Sequence, residues 1–332
     1  MSANMTTPVG TASLAAPASD AARSGLQQTL VTLVRREFWE HRALWIAPLA
    51  TAVLLVVFAL FAHGHTHIVV NGGDVGDQPF SARQALAFST IAQAVVWIAL
   101  NVVMVFVLSF YLVDCLYAER RDRSIYFWKS LPVSDGLTVA SKLLVAMVVV
   151  PLGVWALAAV THVAISMVFA AHSAFGQLPQ HLVAWNTLTW LRVEFLLLIG
   201  VILGALWYAP ITGFFLLVSV LARRNAVMWA LGIPVLVPLL ERIVFGSHYI
   251  FTFILYRSAG IWDILANHGD LKFISDRAAE GNSHFNMPPL DALLGELHFR
   301  AAFLAPDLWL GLIAAAAMIY AATRIRRYRD DT

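Results

Sequence analysis

Six stretches of this chain, at about 43–62, 86–113, 143–170, 195–221, 226–245 and 305–323, are apolar over at least the length a helix needs to cross a bilayer. That length is about 20 residues. Inside hydrocarbon no water is available to satisfy backbone N–H and C=O groups, so each stretch must form a helix that bonds to itself. Composition agrees: 60% of the 332 residues are hydrophobic and 13% are charged, against about 45–50% and about 25% in soluble domains. The expected fold is an all-α integral membrane protein with six transmembrane helices. The second, third and fourth runs are long enough to tilt or to extend past the bilayer. Pro234 and Pro238 interrupt the fifth run, which membrane helices tolerate when neighbours re-satisfy the freed carbonyls. Pro306 and Asp307 suit the first turn of the sixth.

Basic residues in the flanks set the orientation. With the N-terminus, 114–142, 222–225 and the C-terminus on one side, that side holds 15 of the 22 Lys and Arg residues and the other holds 7. Both termini are therefore expected to be cytoplasmic, in a multi-pass protein of the cytoplasmic (inner) membrane. The outer loops fall at about 64–85, 171–194 and 246–304. Residues 1–25 lack a basic start and a continuous apolar core, so they do not resemble a signal peptide. Rich in Ala, Ser, Thr and Pro, they read as a disordered cytoplasmic tail. The rest, 26–329, reads as one transmembrane domain. Within 26–42, Leu30, Leu33, Val34 and Phe38 recur at helical spacing, with Arg35, Arg36 and Glu40 on other faces. This pattern predicts an amphipathic helix on the inner membrane surface, with Arg35, Arg36, Phe38 and Trp39 at the interface.

Several chemistries find no residues here. There is no G-x-x-x-x-G-K-[ST], and none of the three lysines follows a glycine, so no P-loop binds ATP. No HExxH or G-x-S-x-G occurs. Cys115 is the one cysteine, which excludes an internal disulfide and a cysteine-based zinc site. Asp114, Arg192, Glu194, Glu241, Arg242 and Asp307 fall near the ends of the expected spans, and only His162 lies well inside one. Ion-coupled carriers need ionisable groups at depth, and His162 more simply packs against a neighbouring helix. Gly200 and Gly204 form a GxxxG that lets helices approach closely. His63, His65 and His67 would share one face of an extended strand, yet near a span end they form at most a polar edge.

The 114–142 segment stands apart. Within it YAERRDRSIYFWKSLPVSD (117–135) places basic and aromatic residues together between two membrane-length runs. Glu119 and Arg123 are spaced as an i,i+4 pair on a helix continuing from the second span. Ile125, Tyr126, Phe127 and Trp128 follow, four large apolar side chains that belong in the membrane interface or against another protein. Pro132 ends the helix, and Ser134 or Asp135 can cap the next one.

The string LYAERRDRSIYFWKSLPVSDGLTVASKLL (116–144) resembles the cytoplasmic loop of the type-2 ABC exporter permeases, the ABC-2 family. Its counterparts there are an E-R pair, a Ser/Thr, an aliphatic or aromatic patch, a [SL]-L-P-[VI]-[ST] turn and a Lys opening the next span. Here these are Glu119-Arg120, Ser124, Ile125–Trp128, Ser130–Ser134 and Lys142. Arg123 stands where that family commonly has Gly. The resemblance implies a cytoplasmic coupling helix that docks on a separate ATPase subunit, with Glu119, Arg120, Arg121, Arg123, Phe127 and Trp128 at the contact and the entry helix beside it. It implies a transmembrane permease subunit, an exporter working by alternating access. It would have no enzymatic site and bind no cofactor, ATP and Mg being held by the partner. A second permease copy or a related permease would complete the path through the lipid, and nucleic acid has no role. The rival readings are an ion-coupled secondary carrier using His162 or Asp114, and a non-transporting sensor, immunity or scaffold protein.

Overall fold

The computed structural model describes residues 18–61, 82–124, 133–176, 185–265 and 298–328. Among these the only regular elements are helices: α1 (Ala18–Glu40), α2 (Ala43–Phe61), α3 (Ala82–Asp114), α4 (Tyr117–Arg121), α5 (Asp135–Leu144), a π-helical turn (Val145–Val149), α6 (Val150–Ala174), α7 (Thr187–Trp207), α8 (Ala209–Leu221), α9 (Ala226–Phe245), α10 (Tyr249–Leu265), α11 (Phe299–Leu304) and α12 (Pro306–Tyr328). Six helical segments are long and apolar enough to cross a membrane: Ala43–Phe61, Ala92–Arg121, Asp135–Ala174, Thr187–Trp207, Ala226–Phe245 and Pro306–Tyr328. The chain is a multi-pass membrane protein.

Each span turns one stripe inward. In α2 the buried residues are Leu44, Pro48, Ala52 and Ala59, one face of a helix, while Leu54, Phe58 and Phe61 are exposed to the surroundings. Small residues on the inner stripe let α2 pack against Val96 and Leu100 of α3 and Val150, Val154 and Ala158 of α6. Leu216 and Val220 of α8 and Ala322 of α12 close this cluster. At Gly213 a Cβ would lie 3.3 Å from the Ala315 carbonyl oxygen, so glycine is what allows α8 and α12 to touch along their backbones. A Cβ at Gly200 or Gly204 would meet nothing within 4 Å, so the GxxxG face packs on no described part of this chain.

Three boundaries differ from the sequence reading. The entry helix begins at Ala18, so residues 18–25 are helical rather than tail. The fourth span starts at Thr187, where Asn186 caps the helix by accepting from the Leu188 and Thr189 amides, and it stops at Trp207. Its continuation is the separate helix α8. Pro210 falls in the first turn of α8, where it has no N–H to donate and its ring crowds the preceding turn. Arg257 Nη2 of α10 donates to the Trp207 carbonyl at 2.6 Å and Nη1 to the Asp307 carbonyl at 3.0 Å. Its guanidinium also lies 4.4 Å from the Trp207 ring centroid. The break is thus held by one cation that ties α7, α10 and α12 together. Glu241, expected merely to close the fifth span, accepts from the Tyr249 and Ile250 amides at 2.8 Å and so caps α10. The earlier start of α7 also moves Glu194 from a span end to the third turn of a candidate span.

A buried charge network as the candidate functional site

The candidate residues come together where α1 ends, α4 follows α3, α5 begins and α12 ends. Ser134, one of the two capping candidates, caps α5 by accepting from the Leu137 amide. That start fixes the buried polar stripe Thr138, Ser141 and Lys142 on α5. Lys142 has no solvent exposure. Its Nζ donates to Glu37 Oε1 of α1 at 2.8 Å and lies 3.1 Å from Glu119 Oε1 of α4. Arg326 of α12 donates from Nη1 to Glu119 Oε2 and from Nε to Asp135 Oδ1, the latter at 3.1 Å. Tyr111 of α3 donates its hydroxyl to Glu37 Oε2 at 2.9 Å. Two buried carboxylates, Glu37 and Glu119, and two buried cations, Lys142 and Arg326, therefore neutralise one another in a water-poor junction of five helices, with the partly exposed Asp135 at its edge.

Around this centre sits a half-exposed shell. Arg36 pairs with Glu40 at 2.6 Å and reaches Glu119 at 3.4 Å. His41 meets Tyr111 edge-on at 4.8 Å between ring centroids. Burial pushes the His41 imidazole below its ordinary pKa, with Glu37 acting in the opposite direction. Donor atoms of Glu37, Glu40 and His41 lie within 4.8 Å of one another. Lys142 already holds Glu37 and Arg36 already holds Glu40, and these cations oppose a metal ion there.

The proposed contact residues divide into two groups. Glu119 is buried and turned into the network. The expected Glu119–Arg123 pair is not made: α4 ends at Arg121, and Arg123 adopts a left-handed backbone with φ 56° that takes it off the helix. Arg120 is also turned inward, donating to the Ser219 and Ala222 carbonyls at 2.6 and 2.9 Å and thereby capping the end of α8. Ser219 Oγ accepts in return from the Leu116 and Tyr117 amides, at 3.1 and 3.0 Å. Arg121 and Arg123 are exposed. Arg121 stacks over Tyr117 and pairs with Asp122 at 3.0 Å. With Asp114, Tyr117, Asn225 and Met228 it lines an open cleft of about 410 Å³. Phe127 and Trp128 lie outside the described residues, as do His63, His65 and His67. On the entry helix, Phe38 packs on the core, Arg36 turns inward, and Arg35 stacks 5.2 Å from the exposed Trp39 ring.

Sequence reasoning missed Glu37, Lys142 and Arg326 as partners. The available signal was Lys142 itself, a rare lysine one turn before a long apolar run on a helix otherwise free of basic residues. His162 packs as expected of a core polar residue, its Nδ1 accepting from Trp190 Nε1 at 3.1 Å. With this geometry in hand, comparison with known proteins is silent: no protein-family profile, curated protein or solved structure matches the chain.

Proposed function

We propose that this chain is the transmembrane permease subunit of an ABC transporter, driven by a separate ATPase subunit. The observation that carries this reading is the buried network joining α1, α4, α5 and α12 directly behind the exposed Arg121 and Arg123. A force applied to α4 from outside the bundle reaches Glu119, and through its ion pairs it moves the entry helix, the third span and the last span together. Packed ionic contacts with few alternative arrangements transmit displacement rather than absorb it. Under this reading the network faces the cytoplasm, consistent with the excess of basic flanks on that side. The resemblance of 116–144 to ABC-2 coupling loops supports the same assignment, and export by alternating access between two permease copies follows from it. Purified from its native membrane, the protein should carry vanadate-sensitive ATP hydrolysis that it lacks when produced alone. No such hydrolysis in a well-folded native preparation sinks the proposal.

An ion-coupled carrier is the second reading, and the position of Glu194 favours it. That residue lies well inside a candidate span rather than at its edge, and ionisable groups at such depth mark ion pathways in many membrane proteins.

A further inference from the structure

Glu194 stands on α7 where α3 and α6 meet it, and its side chain is 5% exposed. Gln93 Nε2 of α3 donates to Glu194 Oε1 at 2.8 Å. Trp155 Nε1 of α6 donates to the Glu194 carbonyl at 3.1 Å, which pins the backbone at this point. Oε2 is buried and has no hydrogen-bond partner among the described residues.

No cation is paired with this carboxyl among the described residues. On α7 itself Arg192 is exposed. α6 carries two histidines, the buried His172 and, ten residues before it, His162, which is engaged by Trp190 of α7 through Nδ1 and stacked 5.9 Å from the Trp185 ring. Since Nδ1 accepts, the ring proton is on Nε2 and the imidazole is neutral. Along the facing part of α3 stand the neutral Ser89 and Gln93. The π-helical turn and α8 bring no charged residue. At the far end of α7, Arg257 of α10 is committed to the Trp207 and Asp307 carbonyls, and Asp307 of α12 accepts from Tyr256. Arg300 of α11 is exposed.

An ionised carboxylate with one donor and no counter-charge is very costly in such a place, and such groups neutralise by taking up a proton. We propose that Glu194 is an intramembrane proton-binding site, carrying a proton on Oε2 while α3, α6 and α7 are packed together and releasing it when that packing opens to water. The step is a simple acid dissociation: the O–H bond breaks, the proton passes to water, and the electron pair stays on the carboxylate. Gln93 serves as a positioning residue that holds Oε1 and leaves Oε2 as the exchanging atom. The site requires no ATPase, so it stands or falls separately from the function proposed above.

The test is infrared difference spectroscopy of the full chain in lipid, wild type against Glu194→Gln, in H2O and D2O. Glutamine preserves the size of the side chain and can still bond Gln93, so the fold is retained. The expected result is a carboxylic acid C=O band present in wild type, absent in the variant, and shifted in D2O as the proton exchanges. A wild type without that band carries an ionised Glu194 and overturns the proposal. A band that never shifts in D2O shows a locked acid and overturns the exchange. Dicyclohexylcarbodiimide gives an independent readout, because it adds across a protonated carboxyl in an apolar setting and rearranges to a stable N-acylurea with no leaving group. Mass spectrometry should find this adduct on Glu194 at low pH, with yield falling as pH rises and none on the Gln variant. A folded wild type whose Glu194 stays unmodified at every pH contradicts the site.

Discussion

Lys142 shows most clearly what a single residue does in this protein. With no exposure and two carboxylates in contact, it cannot be removed without leaving Glu37 and Glu119 buried and uncompensated. Breaking a buried pair from one side costs about 3–5 kcal/mol. Lys142→Met should therefore lower the unfolding temperature in detergent markedly, and adding Glu37→Gln should cost less than the sum of the two single changes. Strict additivity would show that the two residues are not coupled. His41 gives a pH dependence with a definite sign. Its pKa is depressed in the folded state by burial, so the neutral form is the one the fold favours. Stability from this source is full above the unfolded value of about 6.5 and is lost as pH falls through the lower folded value. His41→Gln should flatten that acid-side loss in a thermal-unfolding series. None of these pairings was legible in the sequence, because their partners are 105 residues apart for Lys142 and Glu37 and 207 apart for Arg326 and Glu119. Helical spacing offered Glu119 a local partner in Arg123, and a single left-handed residue removed it.

At the scale of elements, hydropathy located the six spans because lipid imposes one requirement on every residue of a span. It did not locate the α7–α8 break. A proline inside an apolar run does not reveal whether a distant side chain will take up the freed carbonyl, and here that side chain is Arg257. It also set the start of the fourth span too late, since Arg192 and Glu194 look like an edge until Gln93 is seen to cover the carboxyl. The two kinds of glycine make opposite predictions. Gly213→Leu forces side-chain atoms into the Ala315 backbone and should cost about 1–3 kcal/mol through overpacking. Gly204→Leu points into open space within the chain and should leave the stability of the isolated protein unchanged. Equal losses in a detergent unfolding assay would mean that α8 and α12 do not pack as described.

As a whole molecule, the described chain buries a cluster of four charges, Glu37, Glu119, Lys142 and Arg326, at one end of an apolar bundle. Membrane character and the position of the 114–142 segment were legible from composition and spacing. The charge junction behind that segment was not, since it exists only once five helices meet. Under the proposed coupling, the division of the segment into an inward pair, Glu119 and Arg120, and an outward pair, Arg121 and Arg123, separates stability from partner binding. Variants of the first pair should destabilise the protein, and variants of the second should leave its unfolding temperature unaltered. The most direct test of the proposed coupling is co-purification from the native membrane, comparing wild type with Arg121→Glu/Trp128→Ala. A P-loop ATPase should accompany the wild type and be lost from an equally stable variant. If a well-folded wild type brings down no such ATPase, the 117–135 segment is not a coupling element and the permease assignment is wrong.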